Sequence, residues 1–239
     1  MAKKKFFLIV DTETTQTERV ADFGAVVCDR QGNIHHETGI LVGDFFTDRN
    51  NHPLFHLYGD ANDVFSKASL PKRYAAYEQM LQDGRRVLAS VGAVNRWLAK
   101  VQAKYNPVLT AYNLAFDLGK CDNSGIILDG FEQRFCLMKA AQDKWANTKP
   151  YLRFALRNHF FNNRTGHGNM TVQTKADRMA KFLLGDDLAD EPHTALEDAR
   201  DYERFILEAL VRNASPRDYM NPVGTTWRDL QVKNLFDVK

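Results

Sequence analysis

The stretch Phe6-Phe7-Leu8-Ile9-Val10-Asp11-Thr12-Glu13-Thr14 decides how the chain folds. Five apolar residues run without interruption into Asp11, and Glu13 follows two positions later. An unbroken apolar run of this length reads as a strand buried on both faces. Side chains alternate along a strand, so Asp11 and Glu13 point the same way. Two carboxylates held side by side at the end of a buried strand repel each other and lose hydration, a cost that a cation between them relieves. Carboxylate and water oxygens suit Mg²⁺ or Mn²⁺ better than zinc. A bare D-x-E is equally the mark of a strand running into a solvated acidic turn, so the rest of the chain has to choose.

Outward from this strand, Arg19 to Asp29 carries Val20, Phe23, Ala25, Val26 and Val27 and reads as a second strand. Asp29-Arg30-Gln31-Gly32 is a turn, and Ile34 to Val42 is a third strand. Three strands at short spacing predict an antiparallel meander with Asp11 and Glu13 on its first member. Residues 44 to 70 are irregular and long for a loop, as functional or inserted segments are. His52 and His56 within them have no partner at ligand spacing and read as ordinary loop histidines.

Tyr74 to Leu81 and Val87 to Tyr105 are predicted helices, the second with Val91, Val94, Leu98 and Val101 on one stripe. Val108 to Tyr112 is a short strand. Asn113 reads as the N-cap of a following helix, placing Asp117 in its first turns, just beyond a strand end where α/β folds build sites. Phe135 to Met138 is a further strand, Tyr151 to Phe161 a helix, Asn162 to Thr171 a polar loop, and Lys175 to Leu184 a helix stopped near Gly185. The last helix opens on Thr194-Ala195-Leu196-Glu197, a capping box. Its apolar stripe is Ala195, Ala199, Tyr202, Ile206, Ala209 and Leu210, which Asp198 flanks. Arg200, Asp201 and Glu203 are expected to be more exposed. His193 falls on the loop before the cap, close to Asp198 and free to move.

The chain has 239 residues and a formal charge of +2, too small to argue for nucleic acid by itself. Lys3 to Lys5, Lys72-Arg73, Arg85-Arg86 and Lys100/Lys104 are candidate phosphate contacts, although charge pairs of this kind are commonly solvated faces. No window approaches a membrane span, and the apolar run after Lys5 is too short for a signal peptide. Cys28, Cys121 and Cys136 are too scattered for a disulfide framework and are expected to be reduced, as in a cytoplasmic protein.

Three blocks now stand together: Asp11-Thr12-Glu13, Asn113-Leu114-Ala115-Phe116-Asp117, and His193-Thr194-Ala195-Leu196-Glu197-Asp198. In residue types, order and spacing this set resembles the DEDDh 3′→5′ exonucleases of the DnaQ-like superfamily, with wording most similar to phage or bacterial members. The resemblance spans about residues 6 to 210 and is specific at the three blocks. It implies an α/β, ribonuclease H-like fold: a mixed sheet with three antiparallel strands first, flanked by helices. The exonuclease domain is expected over residues 1–212, with an inserted or extended segment at about 44–86, and a C-terminal extension over 213–239.

The resemblance further implies that Asp11, Glu13, Asp117 and Asp198 hold two divalent ions, Mg²⁺ or Mn²⁺, and that His193 is the general base. Thr12, Thr14, Thr15 and Asn113 would border the terminal nucleotide; Phe116 and Tyr112 read first as core residues and second as candidates to stack on a base. Single-stranded DNA is the favoured substrate, with RNA as the alternative, because recognition of a 2′-hydroxyl depends on pocket shape. A homodimer and a replication-protein partner remain open. The latter follows from the tail Gln231 to Phe236, which resembles a sliding-clamp-binding peptide in its Gln followed by Leu-Phe.

Overall fold

The computed structural model describes residues 4–54, 64–164, 169–226 and 228–235. Its centre is a six-stranded mixed sheet. The strands are β1 (Phe6–Thr14), β2 (Val20–Asp29), β3 (Ile34–Val42), β4 (Val87–Ala89), β5 (Val108–Ala111) and β6 (Arg134–Cys136). Their spatial order is β4-β3-β2-β1-β5-β6. The first three form the expected antiparallel meander, with Asp11 opposite Gly24 and Glu13 opposite Asp22. Strands β4, β5 and β6 join in parallel.

The helices are α1 (Gly43–Phe46), α2 (Val64–Gln82), α3 (Val91–Tyr105), α4 (Leu114–Asn123), α5 (Leu137–Ala141), α6 (Lys149–Arg157), α7 (Ala176–Leu184), α8 (Ala195–Asp198) and α9 (Arg204–Val211). They cover both sheet faces. Alternation along β1 sorts the two cores. Phe7 and Ile9 pack with α5, α6, α7 and α9 through Leu137, Leu152, Met179 and Ile206. Leu8 and Val10 pack with α3 and α4 through Val94, Leu98 and Cys121. A third cluster under α2 joins Leu41 of β3 to Phe46, Tyr74 and Tyr77. Each fully buried apolar side chain contributes about 1.5–3 kcal/mol, so a central strand with four of them, Phe7 to Val10, can carry acidic residues at its end.

Several local readings are corrected. Val87–Ala89 is a strand, because it pairs with Ile40–Val42 of β3, and the helix begins only after Ser90, whose side chain accepts from the Ala93 N–H. Helix α2 begins at Val64, ten residues before the expected start. His56 and residues 55–63 lie outside the described residues. Sequence periodicity also misplaced the end of α6. Phe161–Arg164 and Asn169–Val172 form a small antiparallel hairpin, β7 and β8, where a polar loop was expected. The C-terminal stretch packs onto this hairpin: Gln231 bridges Thr171, and Gln231 and Val232 are buried. The leading Gln of the clamp-like peptide is therefore engaged within the fold, and Phe236 lies outside the described residues.

No helix among the described residues is long and apolar enough to cross a membrane. Cys28, Cys121 and Cys136 are free thiols, the first two buried.

Candidate acidic site at the end of the central strands

Asp11 and Glu13 extend the Phe7–Ile9 row and so face the side of the sheet that carries α8 and α9. Thr12, between them, faces the α4 side. There its hydroxyl donates to Asp117 Oδ1 at 2.8 Å. Asp117 lies in the first turn of α4 and is buried. Asn113 does occupy the cap position of α4, but in the left-handed region (φ 77°) and without a side-chain cap bond. Its side chain is exposed, as is that of Phe116, while Thr14 and Thr15 are buried.

Asp198 closes the site from the other face. Helix α8 starts directly on β2 because Gly24 leaves room: a Cβ there would stand 2.2 Å from the Ala195 carbonyl carbon. The expected capping box is not formed. Thr194 makes no side-chain cap bond, and Glu197 turns instead to Arg86, with Nη2 to Oε2 at 2.5 Å. Arg86 also holds Asp22 of β2 at 2.8 Å, and Asp22 accepts the Ala195 N–H at 3.1 Å. Arg86 and Asp22 are fully buried, so Arg86 is a structural anchor and no phosphate contact.

After α8 the chain makes one turn of π-helix, Ala199–Glu203, before α9. The extra residue per turn shifts the helical register. Glu203, expected to be exposed, is only 2 % exposed and points into the acidic site, while Ala209 is exposed and Leu207 is buried in its place. Glu203 accepts the Tyr112 N–H at 3.3 Å.

The resulting electrostatics are severe. Burial pushes the Asp11 carboxyl well above its ordinary range, and the charges of Glu203, Asp117, Asp198 and Glu13 push it further. Burial raises Asp117 to about 8 despite the Thr12 bond. Burial, followed by Glu191 and Glu13, raises Asp198 to about 9. Glu191 itself is raised to about 8 by burial and by Asp177. Glu13 rises to about 7, less than its burial demands, because Arg73 sits 2.7 Å from Oε2. Asp198 Oδ1 is buried with no hydrogen-bond partner among the described residues. Ligand atoms of Glu13, His193 and Asp198 all lie within 4.8 Å of one another.

His193 is half-buried, with a φ of 55°. Its carbonyl accepts from Arg73 Nη2 at 2.9 Å, so the loop is held rather than free. Burial and the nearby Arg73 lower its pKa, which keeps the imidazole neutral around pH 7.

Thus the structure gathers Asp11, Glu13, Asp117, Asp198 and His193 at one end of the sheet. It adds Glu203 and Glu191, which the sequence did not single out, and Arg73, which was expected as a phosphate contact and instead pairs with Glu13. Arg73 arrives from a distant helix, Glu203 through the π-turn, and Glu191 through the acidic loop before His193. Only Glu203 had a local signal, its spacing of five from Asp198, and that spacing aligns with Asp198 only when a π-turn intervenes. Compared with protein-family models, curated proteins and solved structures, the chain has no match.

Proposed function

We propose that this protein is a metal-dependent 3′→5′ exonuclease with a ribonuclease H-like fold, acting first on single-stranded DNA. The observation that carries the reading is the meeting of all three sequence blocks. Asp11 and Glu13 from β1, Asp117 from α4 and Asp198 from α8 converge in one buried acidic site, with His193 at its edge. The nucleic-acid substrate and the direction of attack come from the resemblance of those blocks to the DEDDh exonucleases.

The donor set fits hard divalent ions. It is all oxygen apart from one imidazole, and Asp198 Oδ1 is an orphaned buried acceptor. Asp11, Glu13, Asp117 and Asp198 would hold Mg²⁺ or Mn²⁺. Bound there, such ions would stabilise the charge on the attacking and leaving oxygens of a phosphodiester and acidify the attacking water. His193 would accept a proton from the attacking water, and its lowered pKa keeps it neutral and able to do so at pH 7. Thr12 holds Asp117 in place through its hydroxyl. Asn113 and Phe116, exposed beside Asp117, are available to a terminal nucleotide.

The test is a time course on 5′-labelled single strands, DNA beside RNA, with Mg²⁺, Mn²⁺ or EDTA. A metal-dependent ladder shortening from the 3′ end is expected, faster on DNA. Faster cleavage of RNA would make the protein an exoribonuclease of the same chemistry. Intact strands in every metal would refute the reading.

A further inference from the structure

Helix α2 belongs to none of the three motif blocks, yet it reaches into the site. Arg73 uses one nitrogen, Nη2, to donate both to Glu13 Oε2 at 2.7 Å and to the His193 carbonyl at 2.9 Å. The Arg73 side chain is 13 % exposed and that of Glu13 15 %. A pair so far removed from water is held more firmly than a surface pair, and one partner left alone there would be strongly disfavoured.

The residue that Arg73 holds is in an unusual state. His193 carries a φ of 55°, in the left-handed region that residues with a Cβ rarely adopt. Such a conformation persists only where the surroundings impose it. On the C-terminal side, Ala195 is fixed by its N–H bond to Asp22 Oδ2 at 3.1 Å. On the N-terminal side, Pro192 is exposed. The bond from Arg73 restrains the His193 peptide directly. Between these two anchors the imidazole comes within 4.8 Å of the Glu13 and Asp198 ligand atoms.

We infer that Arg73 is a positioning residue. It holds the His193 peptide against Glu13 and so sets the imidazole in register with the carboxylates. This rests on the reading of His193 as proton acceptor. Arg73 works through His193, so its loss lowers turnover without weakening the hold on metal ions. Helix α2 is thereby part of the reaction machinery.

A double-mutant cycle in the full chain tests this. Arg73→Gln, His193→Gln and the double variant are compared for kcat on single-stranded DNA, and for Mn²⁺ affinity by electron paramagnetic resonance. Arg73→Gln is expected to lower kcat by at least about tenfold in the parent and by less than about twofold in the His193→Gln background. Mn²⁺ affinity stays equal or tightens, because a positive charge beside Glu13 is gone. Arg73→Lys, which keeps a charged donor, regains part of the rate. It also carries the cycle if Arg73→Gln fails to fold. Equal losses in both backgrounds, or Mn²⁺ affinity falling in step with kcat, would overturn the inference while leaving the exonuclease reading intact. A parent that binds Mn²⁺ but cleaves no strand would remove both.

Discussion

Two groups of buried carboxylates lie side by side in this molecule, and they are treated in opposite ways. Asp22 and Glu197 are served by Arg86, which is itself fully buried. Burial alone would raise Glu197, but the hydrogen bond and charge of Arg86 hold it below its ordinary value. Asp11, Asp117, Asp198 and Glu203 face one another, with no ion pair to a lysine or arginine among the described residues, and all four are raised. Glu13 stands between the two groups, half-compensated by Arg73. Where a carboxylate anchors α8 to the sheet, the fold supplies the cation. Where carboxylates crowd around the end of β1, it supplies more carboxylates. The second arrangement costs stability and makes chemical sense as a receptor for divalent ions.

The comparison is broken most sharply by Asp198→Asn. On the proposed reading of the second group as an ion receptor, this change is expected to abolish hydrolysis, by roughly 10³-fold or more. The same change is expected to stabilise the metal-free protein at pH 8 by about 1–2 kcal/mol, roughly 3–6 °C in melting temperature. Loss of activity together with loss of stability would place Asp198 among the structural carboxylates. In the anchored group the outcome reverses. Arg86→Met leaves Asp22 buried and Glu197 half-buried without a cation and is expected to cost about 3–5 kcal/mol in denaturant unfolding. A near-neutral result would mean that the α8 anchor is not electrostatic.

The pH dependence of stability separates the groups without mutation. Asp117 at about 8 and Asp198 at about 9 stay protonated in the metal-free fold at pH values where the unfolded chain has ionised them. A raised folded-state pKa gives stability that is full below pH of about 4 and is lost as pH rises toward those values. Metal-free melting temperature should therefore fall between pH 5 and pH 9, and Mn²⁺ should restore it at pH 8. A flat profile would contradict the raised values. The smallest effect is expected from Glu203→Gln. This carboxylate already accepts the Tyr112 N–H, so its removal should weaken Mn²⁺ binding by about tenfold and leave hydrolysis detectable. Complete loss of binding would make Glu203 a ligand.

What could be read from the sequence was what local pattern encodes. The apolar run of β1, its D-x-E, the meander through Val42, and the strand-then-Asp117 order all reappear, because period-2 alternation and short turns are local facts. The three motif blocks lie together at one end of the sheet, as their resemblance to a known family implied. Elsewhere long-range partners overrode local signals. Thr194 and Glu197 look like a capping box, but Arg86, more than a hundred residues away in sequence, takes the glutamate. Val87–Ala89 fits a helix until β3 offers a ladder. Arg73 resembles a solvated basic residue until α2 is packed over β3. Glu203 flanks the apolar stripe of the last helix, and the π-turn at Ala199–Glu203 shifts the register in which it is buried.

The most direct measurement is Mn²⁺ binding to the full chain at pH 8 by isothermal titration, wild type beside Asp198→Asn. Saturable binding of about two ions per chain in the wild type, lost or reduced to one in the variant, is the expected result. Equal binding by both proteins, or none by the wild type, would contradict the assignment of this acidic group as an ion site.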